Sequence, residues 1–339
     1  MKTNSEGLLI TGGVLRPQGY DLGEGKYYGG ARLQHLDTRT GHVKTLLAVD
    51  EGTPNFPDAH PNLEFTVGCS EGATLWLAMD TEIRRYAYPS LQLQATFSHP
   101  CFHNIHSVAV RGGSLYVTST GLDLVVVLCK ETGAVQQVLH ADGKPPWHRF
   151  AQDKDWRQVH STRPHDCHPN CVFWLGEEPW VTRCTQQDAV PLRSPARRID
   201  LSGAKREISV HDGVVHEGSV FFTLVDGTVV VMDASEPERP LRNIELAALP
   251  GFGGVRGWCR GLCFAGGLAY VGFSRLRRTR NQSKLDWVRR AVGRGETVQQ
   301  ASVLAVDLQA GRIVKDYRLP LGSIDAVYGI IDGETDEDS

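Results

Sequence analysis

Thirteen histidines punctuate this 339-residue chain, and four of them open short, similar segments. These are His60-Pro-Asn-Leu-Glu-Phe, His106-Ser-Val-Ala-Val, His168-Pro-Asn-Cys-Val-Phe and His211-Asp-Gly-Val-Val. Two further segments begin Arg260-Gly-Leu-Cys-Phe and Asp325-Ala-Val-Tyr-Gly. Neutral imidazoles suit Fe(II), Zn, Cu or Ni and suit Ca²⁺ and Mg²⁺ poorly. If the six openings converge, His60, His106, His168 and His211 are expected to hold a divalent transition metal, Fe(II) favoured over Zn. Such a site would keep coordination positions open for water, dioxygen or substrate.

Arg260 and Asp325 complete the set as catalytic candidates. A guanidinium is repelled by a metal cation, so Arg260 is expected to grip a carboxylate or phosphate of the substrate. A salt bridge between Arg260 and Asp325 is the structural alternative. Asp58, Glu64, Asp166 and Asp212 lie close enough in sequence to hold the rings in one tautomer. His103, His160 and His165 feed the same rim and could replace a ligand or act as acid or base. His216, five residues along a strand from His211, faces away and is read as structural.

These residues need a scaffold that repeats. Short β-branched runs separated by Gly, Asp and Asn turns dominate the chain, with no sustained helical period. Ser114-Leu-Tyr-Val-Thr-Ser-Thr, Ser219-Val-Phe-Phe-Thr-Leu and Gly267-Leu-Ala-Tyr-Val-Gly-Phe fill the same slot after their openings. A third strand recurs as Ala31–Gly41, Leu124–Gly133 and Val303–Gly311, each followed by a fourth. Four strands per unit, at about 45 residues, is the pattern of a β-propeller blade. The expectation is all-β: one six-bladed β-propeller over residues 1–331, with insertions near 142–164 and 275–297. The second insertion contains a candidate helix beginning at Ser283. The N-terminal run Leu8-Leu-Ile-Thr-Gly-Gly starts at a second-strand slot, and Ala326-Val-Tyr-Gly-Ile-Ile supplies only an innermost strand. Their pairing would close one blade from both ends of the chain and remove a free sheet edge. Residues 332–339 form an acidic tail, expected to be disordered.

Composition narrows the partners. A formal net charge of −3 offers no field for nucleic acid or an anionic membrane. The run near Arg275 reads as a local solvated loop. No apolar stretch approaches a membrane span or a secretory leader. The eight cysteines form no Cys-x-x-Cys pair, and Cys129, Cys171 and Cys263 fall within apolar strand patterns. The expectation is a cytoplasmic protein with a small-molecule substrate and room for a protein partner at the channel rim. Trp147, Phe150 and Trp156 of the first insertion either lid that channel or cover apolar surface.

Four segments carry a resemblance. They are Asp166-Cys-His-Pro-Asn170, Leu249–Phe264, Ala269-Tyr-Val-Gly-Phe-Ser274 and Val303–Gly311. Over about residues 160–320 the chain resembles an uncharacterised group of bacterial proteins that share a conserved domain of unknown function. Their motifs are Cys-His-x-Asn, Pro-Gly-Phe-x-Arg-Gly-Leu-x-Phe and Ala-Phe-Val-Gly-Leu-Ser. This chain departs by placing Gly-Val-Arg-Gly-Trp-Cys between Pro-Gly-Phe and Arg-Gly-Leu. The resemblance implies a propeller and no particular reaction. By site geometry alone, a four-His ring is similar to the iron site of carotenoid-cleaving oxygenases, which have seven blades. The expected function is a metal-dependent enzyme of the non-haem iron oxygenase or oxidoreductase type. The alternatives are a zinc-type hydrolase, lactonase or lyase, and a non-enzymatic binding propeller.

Overall fold

The computed structural model describes residues 7–194, 197–203, 208–235, 241–276 and 300–333. It contains six antiparallel four-stranded sheets and almost no helix. The sheets form the ring of a six-bladed β-propeller. Innermost strands are Cys69–Glu71, Ile105–Arg111, Pro169–Leu175, Val210–His216, Cys259–Ala265 and Ala326–Asp332, for blades 1 to 6. The candidate helix and most of the second insertion lie outside the described residues, as does the tail from residue 334.

Alternation along each strand sends successive side chains to opposite faces of the sheet, and both faces here are apolar. In blade 6, Leu8 and Ile10 pack against Tyr270 and Val303 of blade 5. Leu9 and Leu33 of the same blade pack against Leu75 and Leu77 of blade 1. The pattern repeats around the ring, giving one apolar cluster at each of the six blade interfaces. The ring is therefore closed by hydrophobic burial on every side.

Closure also uses the chain ends, as expected. Gly7–Leu15 lies between Ala326–Asp332 and Tyr28–Asp37, with Leu8 opposite Asp332 and Leu9 opposite Ile331. The first insertion packs downward. Trp147, Phe150 and Trp156 lie on the core between blades 1 and 2, and Arg157 donates to Asn55 and Ser98. Those aromatics cover apolar core surface, the plainer of the two readings.

Candidate functional site on the propeller axis

Each innermost strand ends at a two-residue turn, which fixes a register shared by all blades. The residues flanking the turn pair as Glu71–Thr74, Arg111–Ser114, Leu175–Glu178, His216–Ser219 and Ala265–Leu268. In blade 6, Gly333 meets Gly7 at the equivalent point. Five residues before each of these positions stand Thr66, His106, Asn170, His211, Arg260 and Tyr328. In blades 2 to 6 the pairing slips at this place, and the slip is a β-bulge. A bulge re-aims a side chain out of the sheet alternation. All six residues are polar or amphipathic, and all are buried.

Three of the six expected openings hold this position: His106, His211 and Arg260. The other three differ in register. His168 stands two residues before Asn170, with a positive φ of 54°, and still reaches the axis. Its ring centroid is 4.9 Å from that of His106. Asp325 stands three residues before Tyr328. Its carboxylate accepts from Leu15 N at 2.9 Å and pairs with Arg275 at 3.1 Å, not with Arg260. His60 lies six residues before Thr66, exposed and near His160. The structure thus gathers three imidazoles, from His106, His168 and His211, where the sequence suggested four.

His106 and His211 have centroids 5.8 Å apart, and Tyr328 lies 6.3 Å and 6.4 Å from them. Behind His211, Nδ1 donates to Asp212 at 3.1 Å. The other Asp212 oxygen accepts from Gly261 N at 2.8 Å and from the Thr223 hydroxyl. An acceptor-only partner puts the His211 proton on Nδ1 and leaves Nε2 as a lone pair. That Nε2 is buried with no hydrogen-bond partner, as are His106 Nδ1 and Asn170 Oδ1. Burial holds the His106 and His168 pKa values well below 6.5, with neighbouring imidazoles and Arg260 adding to the effect. Burial also lowers His211, opposed by Asp212. Each of these shifts favours the uncharged ring.

Arg260 is 7% exposed, and its guanidinium lies 4.8 Å from both the Trp258 and Tyr328 rings. Among the described residues it has no carboxylate partner, and its Nε makes no hydrogen bond. A buried cation without a counter-charge among the described residues is costly.

Sequence reading missed several contributors. Tyr328, Asn170 and Thr66 were hidden by anchoring the alignment on histidines. The turn glycines Gly72, Gly112, Gly176, Gly218 and Gly266 would have given the register, since all take the positive φ that such hairpin turns need. Asp123 was also missed. Its buried carboxylate accepts from the backbone N–H groups of Asp166, Cys167 and His168 at 2.8–2.9 Å, and from Arg149. It shapes the loop that presents His168. His165 adds a second contact there, Nδ1 to Nδ1 at 2.6 Å. Of the four carboxylates named from sequence, only Asp212 backs an axial imidazole. Glu64 binds Asn62, Asp166 pairs with Lys144 and Arg149, and Asp58 is exposed. His103 is tied to Val159 O at 2.8 Å, and His216 stacks on Phe264, a structural role as expected.

The imidazoles are the right donor type for iron or zinc. Among the described residues, no three or more His, Cys, Asp or Glu are placed to hold a metal ion. The positive charge of Arg260 bears on all three rings.

No family model and no curated protein matches the chain. Solved structures do. A protein of unknown function from Bacteroides caccae aligns with a TM-score of 0.59 at 10% identity, covering 96% of this chain and 98% of that one. The nidogen/laminin complex gives 0.57 at 10% identity, with 96% and 97% covered. A protein from Bacteroides fragilis, provisionally assigned as a 6-phosphogluconolactonase, gives 0.51 at 12% identity, with 94% and 84% covered. At such identities these likenesses show the fold alone, a propeller. No helix among the described residues is long and apolar enough to cross a membrane.

Proposed function

We propose that this propeller is an enzyme that performs acid–base chemistry on a small anionic molecule at its axis, hydrolysis or elimination of the lactonase or lyase class. The observation that carries the reading is His211 Nε2, a buried lone pair whose tautomer is set by Asp212. In hydrolysis, Nε2 takes a proton from water as the oxygen attacks the carbonyl carbon. The same nitrogen returns that proton to the departing oxygen as the carbon–oxygen bond breaks. Asp212 stabilises the imidazolium between the two steps, and Arg260 stabilises the charge that develops on the carbonyl oxygen and holds the carboxylate of the product. The lactonase assignment of the B. fragilis protein is compatible with this chemistry. The eight cysteines are all free thiols, which supports a cytoplasmic location.

Turnover of lactones and hydroxy acids by wild type, His211→Ala and Asp212→Asn tests the reading. The expected result is activity that survives chelation and falls about 100-fold or more without His211. Activity independent of His211 would overturn it. The metal-dependent alternative, Fe(II) or Zn on His106, His168 and His211 with oxygenase or hydrolase chemistry, makes a different prediction. There, about one metal per chain would be found by elemental analysis and lost in His106→Ala.

A further inference from the structure

We infer that the ligand completing the axis site is a hydroxyl-bearing monocarboxylate, an aldonic or α-hydroxy acid, and not inorganic phosphate. The inference rests on the reading that the axis takes a small anion, and it names the class. Two properties of the unpartnered groups decide it.

The first is charge. Among the described residues one buried cation, Arg260, faces the ring, and one buried carboxylate, Asp212, stands behind His211. Arg163 acts on His168 from outside, is largely exposed, and is already paired with Glu24. Among the described residues, a phosphate dianion at the axis would meet one compensating charge. No long helix offers its N-terminus either: the longest helix among the described residues is the four-residue Gly19–Leu22. Phosphate sites lean on helix N-termini and runs of N–H groups. A carboxylate needs only one planar fork, which a guanidinium supplies.

The second is the balance of donors and acceptors. His106 Nδ1 can donate or accept according to its tautomer; of the other three unpartnered atoms, Arg260 Nε offers a proton, whereas His211 Nε2 and Asn170 Oδ1 offer lone pairs. The Asn170 amide is fixed in that sense because its Nδ2 donates to Val210 O at 2.8 Å. A ligand that satisfies all three must carry acceptors at one end and O–H donors at the other. A phosphate dianion carries acceptors only and would set its oxygens against two lone pairs. A hydroxy acid presents its carboxylate to Arg260 and its hydroxyls to His211 and Asn170.

Calorimetry on the full-length protein tests this with gluconate, propionate and inorganic phosphate at matched ionic strength. Gluconate is expected to bind at least about tenfold tighter than propionate, and phosphate not at all. Arg260→Gln should weaken both acids about 10- to 100-fold, and Arg260→Lys should weaken them less. His211→Ala should erase the advantage of gluconate over propionate while leaving propionate unchanged, a result that general loss of folding cannot mimic. Phosphate binding as tightly as gluconate overturns the inference. So does gluconate affinity that Arg260→Gln leaves intact, or the failure of both acids to bind wild type. Arg260-dependent gluconate binding without hydrolysis or elimination would uphold the ligand class and overturn only the proposed reaction.

Discussion

The two arcs of the axial ring are built on opposite plans. On the imidazole arc, His168 and His211 are held from behind, His168 by His165 and the Asp123-braced loop, His211 by Asp212. On the other arc, Arg260 lies against two aromatic rings, and among the described residues its Nε meets no acceptor. The first arc fixes orientation and proton position. The second leaves a buried charge with no carboxylate partner among the described residues. Buried polar groups in folded proteins are ordinarily satisfied, yet both arcs keep unpartnered atoms, His211 Nε2 on the first and Arg260 Nε on the second, so the contrast lies in what braces each arc.

The comparison breaks most severely at Asp123. Its carboxylate takes three backbone N–H bonds and an Arg149 ion pair, all lost in Asp123→Ala. Removing one partner of a buried charge network costs about 3–5 kcal/mol. Urea denaturation should show a loss of that size, and the His168 loop should exchange its amide hydrogens faster. A change below 1 kcal/mol would mean the loop is held by other contacts.

Protons attack the same arc. Burial lowers the pKa of His103 to about 4 and of His165 to about 4. The unfolded chain binds these protons near pH 6.5, but the folded chain does so only near pH 4. Stability is therefore complete above about pH 6.5 and falls as pH drops toward 4. A shift of this size at His103 corresponds to at most about 3 kcal/mol. The difference between wild type and His103→Asn isolates it from carboxylate titration. A pH-independent difference across that window would show that His103 titrates normally.

Arg260 should respond in the opposite direction. Replacing an unpaired buried guanidinium by Arg260→Met removes its desolvation cost while keeping its contact with Trp258 and Tyr328. Thermal unfolding should rise, by about 1–2 kcal/mol of stability, as anion binding disappears. A loss of stability would place Arg260 among the supports, and the contrast between the arcs would dissolve.

Much of the architecture was legible because burial on both sheet faces forces β-branched runs, and closure forces complementary chain ends. Leu8–Ile10 and Ala326–Ile331 announce their pairing by pattern alone. The ring was legible only in part. His106, His211 and Arg260 stand at their bulges, but a side chain's register depends on the distance to the following turn, not on its own type. His168 and Asp325 sit two and three residues early because the connecting loops before their strands differ. The Asp123 loop brace joins residues 43 to 45 apart, and no local pattern encodes such a contact.

Blade 1 makes the finest test of that lesson, with the smallest expected effect. Its innermost strand is reduced to Cys69–Glu71, so the preceding segment enters the ring without ladder pairing to guide the eye. Counting back from the turn selects Thr66, whose neighbour Val67 bonds to the His106 backbone at 3.0 Å. Matching the opening residues selects His60 instead, exposed and held clear of the core. Surface substitutions away from capping or packing change stability by less than about 0.5 kcal/mol. His60→Ala should stay within that limit and leave gluconate affinity and any metal content unchanged, in contrast to His106→Ala. If His60→Ala behaves like His106→Ala in either measurement, a fourth imidazole reaches the axis in solution. The turn would then be the wrong anchor for this blade, and the metal-dependent reading would gain the ligand it lacks.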